Sequence, residues 1–304
     1  MQNKKILIFG GSGQIGKELS LYFNNNKNIK PVFHVRTKVA AAFLINNNND
    51  CIICEFEDQS LKKIIYEADL VFDLADTPEA SSLKERKDFY QYRIEYIINN
   101  MHTNAKFVFA SSIVAFGFSK MRNKLKNYFL AGSISGAGKR FAENFATKMG
   151  KKKLVDIYTV RFSEVHGTFQ RVTQGLKKII LKEYIFEIPK KSTCIVFIPT
   201  IYEMLLSILN DNEKPGKYTL TNDQIFWKDL LDHLGKKVKK KVDYKFVDNN
   251  KKKIITKFID LIYNFLLSKK DIIDAIYSIP QSFKINKKLN HAILKAKNAS
   301  KQTS

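Results

Sequence analysis

The sequence is poor in cysteine, and this scarcity limits the kinds of site that it can build. Its 304 residues include three cysteines, Cys51, Cys54 and Cys194, too few for a disulfide framework and typical of a reducing compartment. Cys51 and Cys54 form a C-x-x-C pair within the apolar run CIICEF, which resembles a strand. Because residues three apart on a strand point to opposite faces, we expect neither a metal site nor a redox site there.

Long hydrophobic segments are also lacking. No run approaches the roughly 20 apolar residues that a membrane span requires. The amino-terminal MQNKKILIFGG contains no apolar segment of the length found in signal peptides. These absences predict a cytoplasmic protein without a transmembrane segment.

Acidic residues are scarce relative to basic ones. Lys and Arg number 52 against 29 Asp and Glu, which gives a net charge of +23 and can indicate nucleic acid, lipid headgroups or a phosphorylated substrate as a partner. The basic residues are scattered through a chain rich in Lys, Asn and Ile, and no nucleic-acid recognition motif accompanies them. No nucleic-acid partner is therefore expected.

One amphipathic segment lies in the basic carboxyl-terminal third. Residues 254–267, IITKFIDLIYNFLL, place Ile254, Phe258, Ile262 and Phe265 on one helical face. Docking of this face on the protein core is the favoured interpretation. Weak contact with a membrane surface beside the neighbouring lysines remains the alternative.

Short apolar runs alternate with helical patterns over the first two-thirds of the chain. The predicted strands are KKILIFG, KPVFHVR, DCIICEFE, ADLVFDLA, KFVFASS and VDIYTVRF, with helices between them. Apolar strands that alternate with helices indicate an α/β fold with a Rossmann-like, doubly wound parallel sheet.

The pattern also predicts a division of the chain. We expect a dinucleotide-binding domain at residues 1–166, completed by roughly 194–212. Residues 167–193 and 213–290 would form a smaller substrate-binding region, where the alternation loosens. Residues 291–304 are predicted to be a basic, disordered tail.

A glycine-rich turn is the most informative motif. In ILIFGGSGQIGKEL, Gly10, Gly13 and Gly16 follow a predicted strand directly and open a helix, the context in which such glycines bind a dinucleotide. The first glycine permits the tight turn, the second lets the backbone approach a pyrophosphate, and the third lets the helix pack closely. The motif predicts a cofactor site that includes Gln14 and Ile15. The alternative is a tight turn without a ligand.

The end of the second predicted strand bears on which cofactor binds. A carboxylate at this position would bind the adenosine ribose of NAD, whereas an arginine accommodates the 2′-phosphate of NADP. The strand PVFHVRTK has no Asp or Glu and offers Arg36 and Lys38. Arg36 therefore favours NADP, with NAD as the alternative.

Taken together, these segments resemble the extended short-chain dehydrogenase/reductase family of the NAD-dependent epimerase/dehydratase type. GGSGQIG is similar to its glycine motif, and EFEDQSLKKIIYEADLVFDLA to its adenine-contacting segment. The resemblance places Asp58 near the adenine and Leu74 and Ala75 near the ribose. KFVFASSIVAFG resembles the strand that carries the family's catalytic Ser or Thr, which implies this role for Ser112.

The family's Y-x-x-x-K motif is altered in this chain. The corresponding residues are S-G-A-G-K, so Lys139 matches the lysine and Ser135 stands in place of the tyrosine. In the family, the tyrosine exchanges a proton with the substrate during hydride transfer, and the lysine holds the nicotinamide ribose. A phenol with a pKa of about 10 can be shifted toward neutrality by an ammonium, whereas an aliphatic hydroxyl cannot serve this way. Ser135 is thus a poor replacement, while Lys139 keeps its role as a ribose clamp.

Two residues are candidates for a relocated proton donor. Tyr128, in KNYFLAGS, ranks first, and His166, which follows Glu164 at a predicted strand end, ranks second. The resemblance implies hydride transfer on a small carbonyl or hydroxyl substrate such as a nucleotide-sugar. The alternative is a catalytically weakened relative that binds the dinucleotide for a structural, sensing or partner-binding role. A homodimer also remains open.

Overall fold

The protein is built on a parallel sheet enclosed by helices. A computed structural model describes residues 4–26, 28–77, 81–116, 134–182, 185–190, 193–222 and 225–247. In chain order the elements are β1 (Lys4–Phe9), α1 (Gln14–Phe23), β2 (Ile29–Val35), α2 (Lys38–Asn46), β3 (Asp50–Ile53), α3 (Gln59–Glu67), β4 (Leu70–Asp73), α4 (Leu83–Asn100), β5 (Lys106–Ser112), α5 (Ile134–Lys153), β6 (Asp156–Phe162), β7 (Glu164–His166), α6 (Arg171–Leu181), β8 (Phe186–Ile188), β9 (Ile195–Phe197), α7 (Ile198–Leu209), β10 (Gly216–Leu220), α8 (Trp227–Lys237) and β11 (Tyr244–Phe246).

Seven of these strands form the central sheet in the order β10-β6-β5-β4-β1-β2-β3. Every neighbouring pair is parallel. The strand order reverses between β1 and β4, and the crevice at such a reversal is where open α/β sheets bind their ligands. The predicted Rossmann-like, doubly wound fold is therefore confirmed.

Two helical layers cover the sheet because its strands are apolar on both faces. Ile6 and Ile8 of β1 face one layer, where they pack in a buried cluster with residues of α1, α2 and α7. Leu7 and Phe9 face the other layer and pack with residues of α3, α4 and α5. This alternation along one strand follows from the two-residue period of extended chain.

The sheet extends further along the chain than the sequence predicted. Residues 213–290 were assigned to the smaller region, but β10 pairs with β6 over five residues, from Gly216 opposite Tyr158 to Leu220 opposite Phe162. Parallel pairing requires a crossover, which α7 supplies. Strand β9 ends at Phe197, because α7 begins at Ile198 and accommodates Pro199 in its first turn.

A smaller set of elements lies outside the main sheet. Two short parallel ladders, β7 with β9 and β8 with β11, join α6 and α8 around a separate hydrophobic cluster that includes Ile180, Leu231 and Val242. The predicted amphipathic segment at 254–267 and the predicted tail at 291–304 lie outside the described residues. Among the helices that are described, none is long and apolar enough to cross a membrane.

Candidate functional site

The glycine turn between β1 and α1 has the geometry that its sequence predicts. Gly10 has a φ of +76°, in the left-handed region that L-residues with side chains rarely adopt. A Cβ on Gly10 would lie 3.0 Å from the backbone nitrogen of Ala75, and one on Gly16 would lie 2.5 Å from the carbonyl oxygen of Gly11. The turn therefore brings β1, the end of β4 and the start of α1 into close backbone contact.

The start of α1 offers backbone donors to an anion. Gly13 occupies the N-cap position and has no side chain with which to cap the helix, so the first N–H groups of α1, at Gln14, Ile15 and Gly16, have no acceptor within the helix. These N–H groups and the helix dipole favour a phosphate at this position. The Gln14 side chain accepts a hydrogen bond from the Arg171 N–H at 3.1 Å, which leaves its backbone N–H as the group available to a ligand.

The end of β4 is fastened by a buried ion pair. Asp73 is fully buried and accepts hydrogen bonds from Arg93 at 2.6 Å and from the Ala75 N–H at 3.2 Å. The Arg93 guanidinium lies 5.2 Å from the ring centroid of Phe9 and 4.8 Å from that of Phe56. Leu74 and Ala75, the predicted ribose contacts, are thus held against Gly10.

The end of β2 and the start of α2 present exposed cations, Arg36 and Lys38. Arg36 follows the last residue of β2 and is exposed. Burial lowers the pKa of the neighbouring His34 to about 4, so His34 is neutral at physiological pH and adds no charge there. Asp58, predicted to lie near the adenine, caps α3 and accepts hydrogen bonds from the Ser60 N–H at 2.8 Å and the Ser60 hydroxyl at 2.5 Å.

Lys139 lies in a polar cluster at the carboxyl ends of β4 and β5. Its ammonium is buried beneath the end of the sheet and donates to the Ala110 carbonyl at 3.0 Å. It also forms an ion pair with Asp76 at 3.2 Å and lies 5.1 Å from the ring centroid of Tyr90. The lysine of the altered motif therefore has an acidic partner that the sequence did not predict.

Asp76 contacts three other side chains of this cluster, Lys139, Tyr90 and Arg86. Its carboxylate accepts a short hydrogen bond from the Tyr90 hydroxyl and lies 3.6 Å from Arg86. Burial alone would raise the pKa of Asp76, but the Lys139 ammonium and the Tyr90 hydroxyl hold it below its ordinary value. Burial, with the nearby Asp76 charge, raises the pKa of Tyr90, so the phenol stays protonated and donates to the carboxylate.

The two predicted catalytic serines lie at the end of β5 and at the start of α5. Ser112 ends β5, is half-buried, and its Oγ accepts a hydrogen bond from the Val114 N–H at 3.4 Å. Ser135 is half-buried at the start of α5, one helical turn before Lys139 and therefore on the same helix face. Gly136 packs directly against the Val114 carbonyl, which brings the start of α5 next to the segment that follows Ser112.

Comparison with known proteins agrees with this architecture. Residues 6–196 match the NAD dependent epimerase/dehydratase family, and this match covers more than half of the chain. The chain belongs to this family. No curated protein matches the sequence.

Solved structures with the same fold include sugar-nucleotide epimerases. UDP-glucuronic acid 4-epimerase from Bacillus cereus, in complex with UDP-glucuronic acid and NAD, is 18% identical, with a TM-score of 0.61 over 80% of this chain and 86% of the other. UDP-N-acetylglucosamine 4-epimerase from Methanobrevibacter ruminantium M1 is 19% identical, with a TM-score of 0.63 over 83% and 87%. The Bordetella bronchiseptica enzyme WbmH, in complex with NAD+, is 15% identical, with a TM-score of 0.61 over 81% and 86%.

Behind the site, this epimerase/dehydratase family member carries a second buried ion pair. Glu143 of α5 is fully buried and accepts hydrogen bonds from Arg161 at 2.7 and 2.5 Å and from Ser111 at 2.6 Å. Burial alone would raise the pKa of Glu143, but Arg161 holds it below the ordinary value. Since neighbouring strand residues alternate in direction, Ser111 faces this pair and Ser112 faces the other way.

Of the two predicted relocated donors, His166 is described, and it is not brought to Lys139. His166 is buried and bonds to Glu164 at 3.0 Å and to Thr173 at 3.1 Å. It lines a cavity of about 350 Å³ between α1, α6 and α8, and none of that cavity's lining residues belongs to the Lys139 cluster. Tyr128 lies outside the described residues.

The acidic and aromatic partners of Lys139 were not predicted from the sequence. Arg86, Tyr90 and Arg93 recur at helical spacing on one face of α4, and all three are buried against the sheet. The sequence signal for these partners was the presence of polar residues on the face of an amphipathic helix that is usually apolar. The two aspartates in LVFDLAD, Asp73 and Asp76, were their partners at the strand end.

Proposed function

We propose that the chain binds NAD or NADP in the crevice between β1 and β4 and acts on a nucleotide-sugar or a related carbonyl or hydroxyl compound. The observation that carries this proposal is the turn of Gly10, Gly13 and Gly16, which presents free N–H groups at the start of α1. This turn lies where the strand order of the parallel sheet reverses, between β1 and β4. The nucleotide-sugar assignment is supported by the ligands named in the similar solved structures.

Each half of the dinucleotide has its own set of residues in this proposal. The pyrophosphate would bind at the N–H groups of α1, and the adenosine half would extend toward Arg36 at the end of β2. The nicotinamide half would extend toward β4 and β5, where Lys139 and Ser112 lie. The bound cofactor would supply the hydride acceptor and donor, and Ser112 would orient the substrate oxygen.

Proton transfer is the step for which these residues are least equipped. Ser135 lies one turn from Lys139, but its hydroxyl titrates too high to exchange a proton at neutral pH by the route available to a phenol. This deficiency favours a second candidate function, in which the chain binds the dinucleotide with little or no turnover.

Cofactor binding is the first test of the proposal. NADH and NADPH are titrated into the protein and followed by their fluorescence, with ADP-ribose followed by calorimetry. Saturable binding of at least one dinucleotide is expected. Failure of both dinucleotides to bind would overturn the enzymatic function and the binding-only function together.

Restoring the phenol tests which of the two functions applies. In Ser135→Tyr, the new hydroxyl lies within one turn of the Lys139 ammonium, so turnover on a panel of UDP-sugars is expected to rise about 10²-fold or more, the usual scale of general acid–base catalysis. Ser135→Phe is the matched control, since it adds the ring without the hydroxyl and should give no gain. Equal behaviour of the two variants would show that a missing phenol is not what limits the rate.

A further inference from the structure

We propose that Asp76 acts together with Lys139 as a paired clamp for the ribose diol in the nicotinamide half of the dinucleotide. This inference rests on the proposed function, because it assumes that a dinucleotide occupies the crevice. It assigns a cofactor-binding role to a carboxylate that lies outside the glycine turn and outside the altered lysine motif.

The position of Asp76 is determined by the turn that would hold the phosphates. Asp76 follows Ala75, whose backbone nitrogen lies within 3.0 Å of a Cβ built on Gly10. A dinucleotide that extends from the end of β2 across the glycine turn places its second ribose beside β4 and β5. Asp76 lies in the loop that follows β4, and Lys139 is bonded to the Ala110 carbonyl of β5, so both lie on that side.

The hydrogen-bonding capacity of Lys139 is only partly used. An ammonium has three N–H donors. Within the described residues one contacts the Ala110 carbonyl at 3.0 Å and another contacts Asp76 Oδ2 at 3.2 Å. One donor therefore remains for an oxygen of a ligand.

Asp76 has the complementary capacity. Its Oδ1 accepts from the Tyr90 hydroxyl and from the Thr77 N–H at 2.8 Å, whereas its Oδ2 faces Lys139. A carboxylate oxygen accepts two hydrogen bonds, and the Asp76 side chain remains 43% exposed. An available acceptor thus lies beside an available donor.

This pair of groups fits a vicinal diol. One ribose hydroxyl can accept from the Lys139 ammonium while its neighbour donates to Asp76 Oδ2, and carboxylates bind ribose hydroxyls elsewhere in Rossmann folds in the same way. The lowered pKa of Asp76 keeps it an acceptor at neutral pH and makes it a weak proton carrier. It therefore serves binding better than acid–base catalysis.

The test compares ligands that differ in the second ribose. ADP-ribose carries this diol and ADP lacks it, whereas both carry the pyrophosphate. For Asp76→Asn we expect affinity for ADP-ribose and NAD+ to fall about tenfold to hundredfold, the usual worth of a hydrogen bond to a charged group. Affinity for ADP should stay within about twofold.

The sign of the effect separates this proposal from simple electrostatics. Removing a negative charge near a ligand that carries a pyrophosphate should strengthen binding, whereas loss of the diol contact weakens it. Stronger binding of ADP-ribose by Asp76→Asn would mean that Asp76 competes with the cofactor for Lys139, and would overturn the proposal. Equal weakening of ADP and ADP-ribose would assign Asp76 a structural role instead.

Two controls keep the result interpretable. Asp69→Asn changes an exposed aspartate just before β4, at the opposite end of that strand, and should leave all three affinities unchanged. Should Asp76→Asn fail to fold, the wild-type protein still decides, because ADP-ribose must bind at least about tenfold more tightly than ADP. Wild type that binds no dinucleotide would overturn the proposed function, whereas wild type that binds ADP and ADP-ribose equally would overturn this inference alone.

Discussion

At the scale of the residue, the proposed choice between NAD and NADP rests on Arg36. It is exposed at the end of β2, and the neutral His34 beside it adds no charge. A 2′-phosphate on the adenosine ribose would therefore meet a guanidinium, which binds phosphate with two parallel hydrogen bonds.

Replacing Arg36 gives a direct prediction. Arg36→Ala should lower the affinity for NADPH about tenfold or more, as expected for a lost hydrogen bond between charged groups, and change that for NADH little. Lys30→Ala, at the opposite end of β2, removes an exposed cation of the same strand and should change neither. Fluorescence titration measures the affinity of each variant for NADPH and for NADH, relative to wild type. An equal loss of affinity for both dinucleotides in Arg36→Ala would show that Arg36 does not select between them.

Residues also differ in how far their roles could be predicted. Gly10 and Gly16 were predictable, because their conformational and steric demands are local to one turn. Asp76 and Tyr90 were not, because an aspartate after a strand and a tyrosine in a helix have many ordinary roles. Only the contact of Asp76 with both Lys139 and Tyr90 joins them in one cluster.

At the scale of the element, α5 is fastened to the sheet by Glu143. Its carboxylate joins α5 to Arg161 of β6 and Ser111 of β5, and lies 3.3 Å from Lys217 of β10. Because Lys139 lies one turn earlier on the same helix, the orientation of the candidate site depends on this attachment.

Breaking the attachment should be costly. Glu143→Gln leaves the buried Arg161 without a counter-charge and should lower the free energy of unfolding by about 3–5 kcal/mol. Lys217→Gln, which removes a partly exposed partner, should cost about 1 kcal/mol or less. Urea denaturation compares the three proteins, and a loss in Glu143→Gln no larger than in Lys217→Gln would contradict a dominant role for the buried pair.

The same pair predicts a pH dependence. Because the pKa of Glu143 is lower in the folded protein than in the unfolded chain, its contribution to stability is present above the unfolded pKa of about 4.3. It is lost as the pH falls through the lower folded value. The stability difference between wild type and Glu143→Gln should therefore shrink as the pH is lowered below about 4.

At the scale of the whole molecule, the net charge of +23 is a property of composition more than of one surface. The affinity for a dinucleotide that is held by backbone N–H groups in a crevice should depend weakly on salt concentration. NADH affinity is expected to change less than about threefold between 50 and 200 mM NaCl. Over the same range, the affinity of a DNA-binding protein for DNA falls about 10³-fold or more, because binding releases counterions. Fluorescence titration measures the affinity for NADH, and fluorescence polarisation with a labelled DNA duplex measures the affinity for DNA. A steep salt dependence with tight duplex binding would revive the nucleic-acid hypothesis.

The sequence by itself determined the parallel sheet, the order of most helices and strands, and the glycine turn. These depend on apolar periodicity and backbone freedom, which act over a few neighbouring residues. Only the tertiary structure decided that β10 completes the sheet. It also decided that Asp76, Tyr90 and Lys139 meet at the carboxyl ends of β4 and β5. Their pairing depends on how β4, α4 and α5 pack. Residues distant in the chain come within contact distance of one another only through that packing.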